Sequence, residues 1–320
     1  MNLLETLRPC SAEWRTCSVN LGSAGCIDVD VYLCRGHLLT PCAVVTGGIH
    51  GDEYEGPTSI VEVTRRLRPS SMPGSVIAIP VANPLAFAAA QRMSPADGLN
   101  LARTFPGQAQ GTATERLAFW IFENIVRNAQ YLIDLHSGGI DYLFAPVIGF
   151  YGPCQIENPS FHAALHFGLP LLWQLPSTPG VLSREAGSAG LVSVGAEYMG
   201  AGQLSLEGVS DYARGVCSCL ALWGISSDEK PVEVLSQVFA GDWMLATASG
   251  LFYSPLKPGA NVAEGQVVAE IQDLRGCMLQ RFCAPYSGCL LAIRSKAFIN
   301  VGDWGALIGM PNRTLRDEYV

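Results

Sequence analysis

Short apolar runs alternate with amphipathic stretches up to about residue 225 of the chain. An alternation of this kind is typical of a mainly parallel, mixed α/β sheet with helices on both faces. Such a sheet places its ligand site at the carboxyl ends of its strands. Four β-branched, aliphatic runs have the pattern of buried strands and lie at residues 43–48, 75–84, 129–139 and 191–198. Helices are predicted at residues 56–67, 113–128, 157–168 and 205–224.

The pattern changes after Ile225, where the polar segment 226–231 precedes short runs punctuated by glycine turns. Their spacing suits a small all-β barrel or sandwich. We therefore expect two domains, at residues 1–225 and 232–320. The order of features in the second part resembles a biotinyl/lipoyl-type barrel. However, the turn at 273–276 lacks the lysine that such barrels modify, so no carrier role is expected.

The composition excludes several classes of function. Of the 320 residues, 49% are hydrophobic, which rules out disorder, and no apolar run is long enough for a transmembrane helix. The net charge is −8, and the sequence contains no cluster of Lys and Arg residues, so neither nucleic acid nor an anionic membrane is an expected partner. The first residues lack the basic and apolar regions of a signal peptide. We expect a cytoplasmic protein with a small-molecule substrate.

The eleven cysteines are scattered and form no CxxC pair. In a cytoplasmic chain of this length, such cysteines are typically reduced core residues. We assign them no chemistry.

Two of the five histidines follow predicted strands. His50 lies in TGGIHGDEYEG, with Glu53 three residues on, a spacing that places two side chains on one face of a helical turn. His136 lies in LIDLHSGG, where two glycines would let a ligand approach the backbone. Two imidazole nitrogens and one carboxylate oxygen suit a catalytic zinc with its fourth position open. The alternative is that both histidines are ordinary residues at strand ends.

The other histidines have no comparable context. His162 and His166 are four residues apart on a predicted helix, a spacing that can bind metal. Their neighbours are apolar, which favours a packing role. His37 follows a glycine in a predicted turn and is left unassigned.

Two carboxylates are candidates for a general base. Glu197 closes a predicted strand before a loop of small residues, and a carboxylate buried there is costly without a functional partner. Glu207 lies in the first turn of a predicted helix, where it complements the helix dipole, so we expect it at the surface. Arg92 and Arg103 bracket an irregular segment, and either pairing with acids or binding a substrate carboxylate explains them.

Four motifs in order, TGGIHGDEYEG, DGLNLARTFPG, LIDLHSGG and GAEYMGAG, followed by a β-rich tail, resemble the succinylglutamate desuccinylase/aspartoacylase family of the zinc carboxypeptidase superfamily. The resemblance implies a zinc carboxypeptidase-like fold and one zinc ion per chain, bound by His50, Glu53 and His136. It implies that Glu197 is the general base and that Arg92 polarises the scissile carbonyl. It also implies that Arg103 and Asn100 bind substrate, and it leaves a homo-oligomer open.

One position departs from the family pattern. The family usually reads N-L-N-R-x-F-P-G, whereas Ala102 stands here in place of the second asparagine, an expected substrate ligand. The substrate carboxylate therefore sits differently, or the substrate differs from the family's usual acyl amino acids. The implied activity is hydrolysis of an acyl group, such as acetyl or succinyl, from a small N-acyl amino acid or amine. The alternatives are a metallocarboxypeptidase acting on short peptides and a non-catalytic, metal-containing binding module.

Overall fold

Strands and helices alternate through the first part of the protein, as the sequence predicts. The structure is a computed structural model and describes residues 2–227, 230–232 and 236–312. The first part contains β1 (Ser11–Asn20), β2 (Cys26–Arg35), β3 (Cys42–Thr46), α1 (Glu55–Arg66), β4 (Ser75–Ile79), α2 (Pro84–Ala88), α3 (Ala113–Asn124), β5 (Tyr131–Leu135), β6 (Tyr142–Phe150), α4 (Pro159–Phe167), β7 (Leu171–Gln174), α5 (Leu182–Ser188), β8 (Val192–Gly200) and α6 (Leu206–Leu222).

The centre of the sheet is parallel and runs in the order β4-β3-β5-β8. Every residue of β3 and β4 is buried, because helices cover both faces. Successive side chains of a strand point to opposite faces. Accordingly Ala43 and Val45 pack with α1, α4 and α6, while Cys42 and Val44 pack with α3 and α5. The expected mixed α/β fold is confirmed, although β1, β2 and β6 join this parallel centre in antiparallel pairings.

The helices follow local sequence signals. Gly56, Ile60 and Val63 give α1 a buried face, while Arg65 and Arg66 in its last turn are exposed and complement the helix dipole. The start of α3 is fixed by a capping box, in which Thr112 and Glu115 satisfy backbone N–H groups that the helix leaves unpaired.

Several predicted boundaries and elements differ from the observed ones. The strand predicted at 75–84 ends at Ile79, because Pro80 cannot donate a hydrogen bond to the ladder. The strand predicted at 191–198 continues to Gly200 as β8, so Glu197 lies within the strand rather than at its end. Four strands of the first part, β1, β2, β6 and β7, do not correspond to any predicted run.

The chain beyond residue 236 is β-rich, as predicted. It contains β9 (Gln237–Ala240), β10 (Trp243–Leu245), β11 (Gly250–Tyr253), β12 (Asn261–Val262), β13 (Val267–Gln272), β14 (Met278–Cys283), β15 (Gly288–Arg294), β16 (Phe298–Ile299) and β17 (Trp304–Pro311). Four of these strands form a separate sheet in the order β14-β13-β11-β16. Residues 228–229, 233–235 and 313–320 lie outside the described residues, and with them part of the predicted linker. The domain boundary at 225–232 stays a prediction.

The other strands of the tail pair with the first part of the chain. β9 adds to β7 in parallel, and β15 pairs antiparallel with β6, so that Phe144 lies beside Ala292. β17 pairs with both β9 and β15. Within the described residues, β6, β7, β9, β17 and β15 therefore close into a ring of five strands, hereafter the strand ring. Phe144 and Trp173 from the first part share a core with Phe239 and Leu307 from the tail.

Candidate metal centre and substrate cavity

His50, Glu53 and His136 converge at the carboxyl ends of β3 and β5, as predicted. His50 Nδ1 lies 2.7 Å from Glu53 Oε1, and His136 Nδ1 lies 3.0 Å from Glu53 Oε2. One ligand atom from each residue falls within 4.8 Å of the other two, and all three residues are buried. Among the described residues this is the one group of three or more His, Cys, Asp or Glu side chains close enough to hold a metal ion.

Each histidine of this cluster is held by a further polar group on its outer nitrogen. His136 Nε2 lies 3.0 Å from Asp134 Oδ2, and Thr46 Oγ1 donates to Asp134 Oδ1 at 2.7 Å. His50 Nε2 lies 3.1 Å from Asn100 Oδ1. Both imidazoles therefore present Nδ1 to Glu53 while a second polar group holds the outer nitrogen, an arrangement typical of metal-binding histidines.

Asp134 was not singled out in the sequence, although a signal was available. It lies two residues before His136 in an otherwise apolar strand, and alternate residues of a strand share a face. Asn100, expected to bind substrate, uses its side-chain oxygen toward His50 and also accepts a hydrogen bond from the Ala102 N–H at 2.9 Å.

The two glycines after His136 serve packing rather than access for a ligand. Gly139 has a φ of +55°, and a Cβ there would collide with the Asp52 carboxylate. A Cβ on Gly138 would collide with the carbonyl of Tyr142. The Asp52 carboxylate accepts a hydrogen bond from the Ile140 N–H at 2.8 Å, which ties this loop to the turn that carries His50 and Glu53.

The cluster is electrostatically coupled. Burial raises the pKa of Glu53, but the charges of His50 and His136 and their hydrogen bonds outweigh it and hold that pKa well below its usual range. Burial lowers the pKa of His50 to about 4, and the charge of Arg92 adds to the effect. Burial also disfavours the charged form of His136, yet Asp134 and Glu53 hold its pKa well above the ordinary value. Near neutral pH, Glu53 is thus an ionised carboxylate between a charged His136 and His50, which carries a charge only in acid.

Glu197 lies on β8 with its Oε2 atom buried and without a hydrogen-bond partner among the described residues. Burial raises its pKa to about 8, against the opposing charge of His136. It pairs with Val147 of β6, where a register shift between Phe144 and Val147 marks a β-bulge. Bulges re-aim side chains next to functional sites. Glu207 is exposed in the first turn of α6, as predicted.

The two arginines reach the same region from their irregular segment. Arg92 Nη1 donates to Glu53 Oε1 at 3.2 Å. Arg103 Nη1 donates to the Ala102 carbonyl at 2.8 Å, and its guanidinium carbon lies 5.8 Å from the centre of the Trp304 ring. Burial lowers the pKa of Arg103, and the charge of Arg92 adds to this.

These residues border a cavity of about 200 Å³. His50, His136, Arg92, Arg103 and Glu197 are among its polar lining residues, with Ser137, Thr178 and Ser183. Six aromatic side chains also line it, among them Tyr151 and Trp173. The other four contact one another, and we call them the aromatic wall: Tyr142 and Phe144 from β6, Trp243 from β10 and Trp304 from β17. The sequence alone does not reveal this wall, because Trp243 and Trp304 lie in the tail, which reaches the cavity through the strand ring and through β10 paired to it.

The remaining candidates lie apart from the cluster. His162 and His166 face each other with their Nε2 atoms 3.0 Å apart, and His166 Nδ1 lies 3.0 Å from the Val232 carbonyl. His37 contacts Cys10, with Nδ1 3.4 Å from the sulfur. No disulfide joins any of the eleven cysteines, all of which lie in the described part of the chain. Six of them are buried, as predicted, whereas Cys26, Cys277 and Cys283 are exposed. No helix within the described part of the chain is long and apolar enough to cross a membrane.

Together, the mixed α/β fold and the buried His/Glu/His cluster at its strand ends define a protein built around a candidate metal centre that opens on a small cavity. The catalytic-domain profile of the succinylglutamate desuccinylase/aspartoacylase family matches residues 40–223. The chain belongs to this family, as its motifs predicted. That segment contains every site residue predicted from the sequence.

Individual relatives extend the similarity to the tail. The chain is 31% identical over 280 residues to the N-alpha-acetyl-L-2,4-diaminobutyric acid deacetylase of Halomonas elongata, covering 84% of this chain and 82% of the relative. The crystal structure of a succinylglutamate desuccinylase from Silicibacter sp. TM1040 has a TM-score of 0.85 at 25% identity, covering 96% of this chain and 98% of the other. The product-bound ectoine utilization protein EutE (DoeB) from Ruegeria pomeroyi has a TM-score of 0.85 at 26% identity, covering 95% and 97%.

Proposed function

We propose that this protein is a zinc-dependent amide hydrolase that removes an acyl group, such as acetyl or succinyl, from a small N-acyl amino acid or amine. The observation that carries the proposal is the position of the Glu197 carboxylate. It lines the same small cavity as His50 and His136, and its buried Oε2 has no partner among the described residues. Burying a carboxylate without a partner costs free energy, and groups buried in this way are typical of sites that act on a ligand. Membership of a family of deacylases supports the same activity.

The donor set of the cluster fits one zinc ion. Zinc in catalytic sites takes three protein ligands, often two histidines and one carboxylate, and leaves a position open. The Nδ1 atoms of His50 and His136 and the carboxylate of Glu53 supply this set, with the outer imidazole nitrogens held by Asn100 and Asp134. When bound, the ion would supply a Lewis acid that polarises the scissile carbonyl and lowers the pKa of water.

The residues of the chain supply the other parts of the reaction. The ionised form of Glu197 accepts a proton from the attacking water and returns it to the nitrogen of the leaving amine. The Arg92 guanidinium donates hydrogen bonds to the carbonyl oxygen as negative charge develops on it, which is the term that usually contributes most to such catalysis. Arg103 binds a carboxylate of the substrate through paired N–H groups. The products are a carboxylic acid and a free amine.

The proposal is tested by assaying metal content together with amine release from a panel of N-acyl amino acids and short peptides. We expect about one zinc per chain and release of amine from the small N-acyl amino acids alone. Release from the carboxyl ends of peptides would instead identify a metallocarboxypeptidase. A metal-loaded protein that releases amine from no compound would identify a binding module and overturn the proposed reaction.

Arg103→Lys is expected to raise KM about tenfold or more and to leave kcat and zinc content nearly unchanged. The reason is that a lysine ammonium cannot reproduce the paired hydrogen bonds of a guanidinium to a carboxylate. Steady-state kinetics on the best substrate of the panel measures the change. Arg116→Lys is the matched control, because Arg116 also donates to a backbone carbonyl, at 2.8 Å, but lies on α3. A fall in kcat at constant KM would place Arg103 in the chemical step instead.

A further inference from the structure

The aromatic wall is a single connected surface. The Trp243 and Trp304 rings stack with centroids 4.9 Å apart and an interplanar angle of 9°. Phe144 meets Trp243 edge-on at 5.8 Å, and Tyr142 lies 5.1 Å from Trp243. Both tryptophans and Tyr142 keep part of their surface exposed, although all three line the cavity. Apolar surface left in contact with water is unfavourable, so a ligand that covers these rings gains free energy by doing so.

The charges around the cavity restrict which ligand would cover the wall. Aromatic faces also attract cations, but Glu197 is the single carboxylate among the described residues that line this cavity. Arg92 and Arg103 line the same cavity, and the guanidinium of Arg103 already occupies a position 5.8 Å from the Trp304 ring. A cationic group in the cavity would therefore be repelled by the charges of Arg92 and Arg103. A ligand with an uncharged ring next to a carboxylate fits both the aromatic wall and the two arginines.

We propose that the aromatic wall selects N-acyl amino acids whose own side chain is aromatic. This inference rests on the proposed deacylase function and names the substrate class for the same site. In such a substrate only two carbon atoms separate the ring from the carboxylate. In the protein, the guanidinium of Arg103, which can bind an anion, lies 5.8 Å from the centre of the Trp304 ring. This distance is similar to the short separation between ring and carboxylate in such a substrate. Ala102, which also lines the cavity, leaves space beside Arg103 that an asparagine would fill.

The test measures kcat/KM of the zinc-loaded, full-length protein for five compounds. N-acetyl-L-phenylalanine and N-acetyl-L-tryptophan represent the proposed class. N-acetyl-L-alanine, N-acetyl-L-aspartate and N-acetyl-L-2,4-diaminobutyrate represent small, acidic and cationic side chains. We expect the aromatic pair to exceed the other three by about tenfold or more.

Trp243→Leu keeps apolar bulk but removes the stacking surface. It is expected to lower kcat/KM for the aromatic compounds about threefold to tenfold, the size of an aromatic pair interaction. The value for N-acetyl-L-alanine should change less than about twofold. Trp223→Leu is the matched control, because Trp223 also stacks on an aromatic ring, that of Tyr131 at 4.3 Å, but does not line the cavity. Should Trp243→Leu fail to fold, Trp304→Leu tests the other half of the stack.

Calorimetric titration of the Glu197→Gln variant with N-acetyl-L-phenylalanine separates this inference from the proposed function. Binding that weakens when Trp243→Leu is added supports the ligand class even if the protein releases no amine, a result that would overturn the hydrolase alone. Equal or better turnover of the acidic, cationic or small compounds would overturn the aromatic preference and leave the deacylase standing. Absence of both turnover and binding would overturn both proposals.

Discussion

The His136→Ala protein is expected to lose its zinc, whereas the wild-type protein should hold about one ion per chain. Removing a ligand leaves two protein donors, and the cost should exceed the roughly tenfold to hundredfold fall in affinity that follows loss of an outer hydrogen-bond partner. The measurement is elemental analysis after dialysis against a weak chelator. Activity toward every substrate should fall with the metal.

Unfolding must be separated from loss of the ligand in this experiment. His136 contacts Glu53 and Asp134, both buried, and its removal leaves carboxylate oxygens short of a partner. Such groups cost about 1–3 kcal/mol each, so a thermal melt of the metal-free variant accompanies the zinc analysis. His162→Ala is the control, because His162 and His166 form the other close histidine pair. A folded His136→Ala protein with full zinc content, or a His162→Ala protein without zinc, would contradict the assignment of the metal centre.

Glu197→Gln is expected to lower kcat by about a hundredfold or more while zinc stays bound. The amide has nearly the size and polarity of the carboxyl group but cannot accept a proton, and general acid–base catalysis contributes about a hundredfold to ten-thousandfold. Stability should change little, because the substitution removes a buried carboxylate that has no partner for Oε2 in the described structure. Single-turnover kinetics at saturating substrate, together with zinc analysis, measures the two effects separately.

Glu207→Gln is the matched control for this substitution. Glu207 is exposed in the first turn of α6, so its replacement should leave kcat within about twofold of wild type. If Glu207→Gln is the inactive protein and Glu197→Gln is not, the general base has been assigned to the wrong carboxylate. If Glu197→Gln instead loses its zinc, Glu197 acts on the metal centre rather than on the proton.

The His50/Glu53/His136 cluster could be predicted because both histidines follow buried, aliphatic strands that are recognisable in the sequence. Parallel strands end at one edge of the sheet, so His50 after β3 and His136 after β5 were expected to meet. Glu53 and His50 do not share a helical face: Glu53 precedes α1, which begins at Glu55, and reaches His50 from the turn before that helix.

Other parts of the site depend on pairings between distant segments, which periodicity does not specify. Glu197 points from the middle of β8 because that strand continues to pair with β6 beyond the predicted end. Trp243 and Trp304 reach the cavity because β15 and β9 of the tail pair with β6 and β7. A strand pattern gives the faces of a strand but not its neighbours. The aromatic wall therefore could not be derived from the sequence alone.

The strand ring has a consequence for exchanging parts between relatives. Tyr142 and Phe144 belong to the segment with the metal centre, Trp243 and Trp304 to the tail, yet hydrogen-bonded strands join them. Grafting a tail from another family member would replace half of the aromatic wall and, with it, the strands that complete the ring. A functional chimera would therefore need compatible edges on β6 and β7 as well as a suitable tail. The proposed specificity therefore depends on the register in which the strands of the tail pair with β6 and β7, and not only on the side chains that contact the substrate.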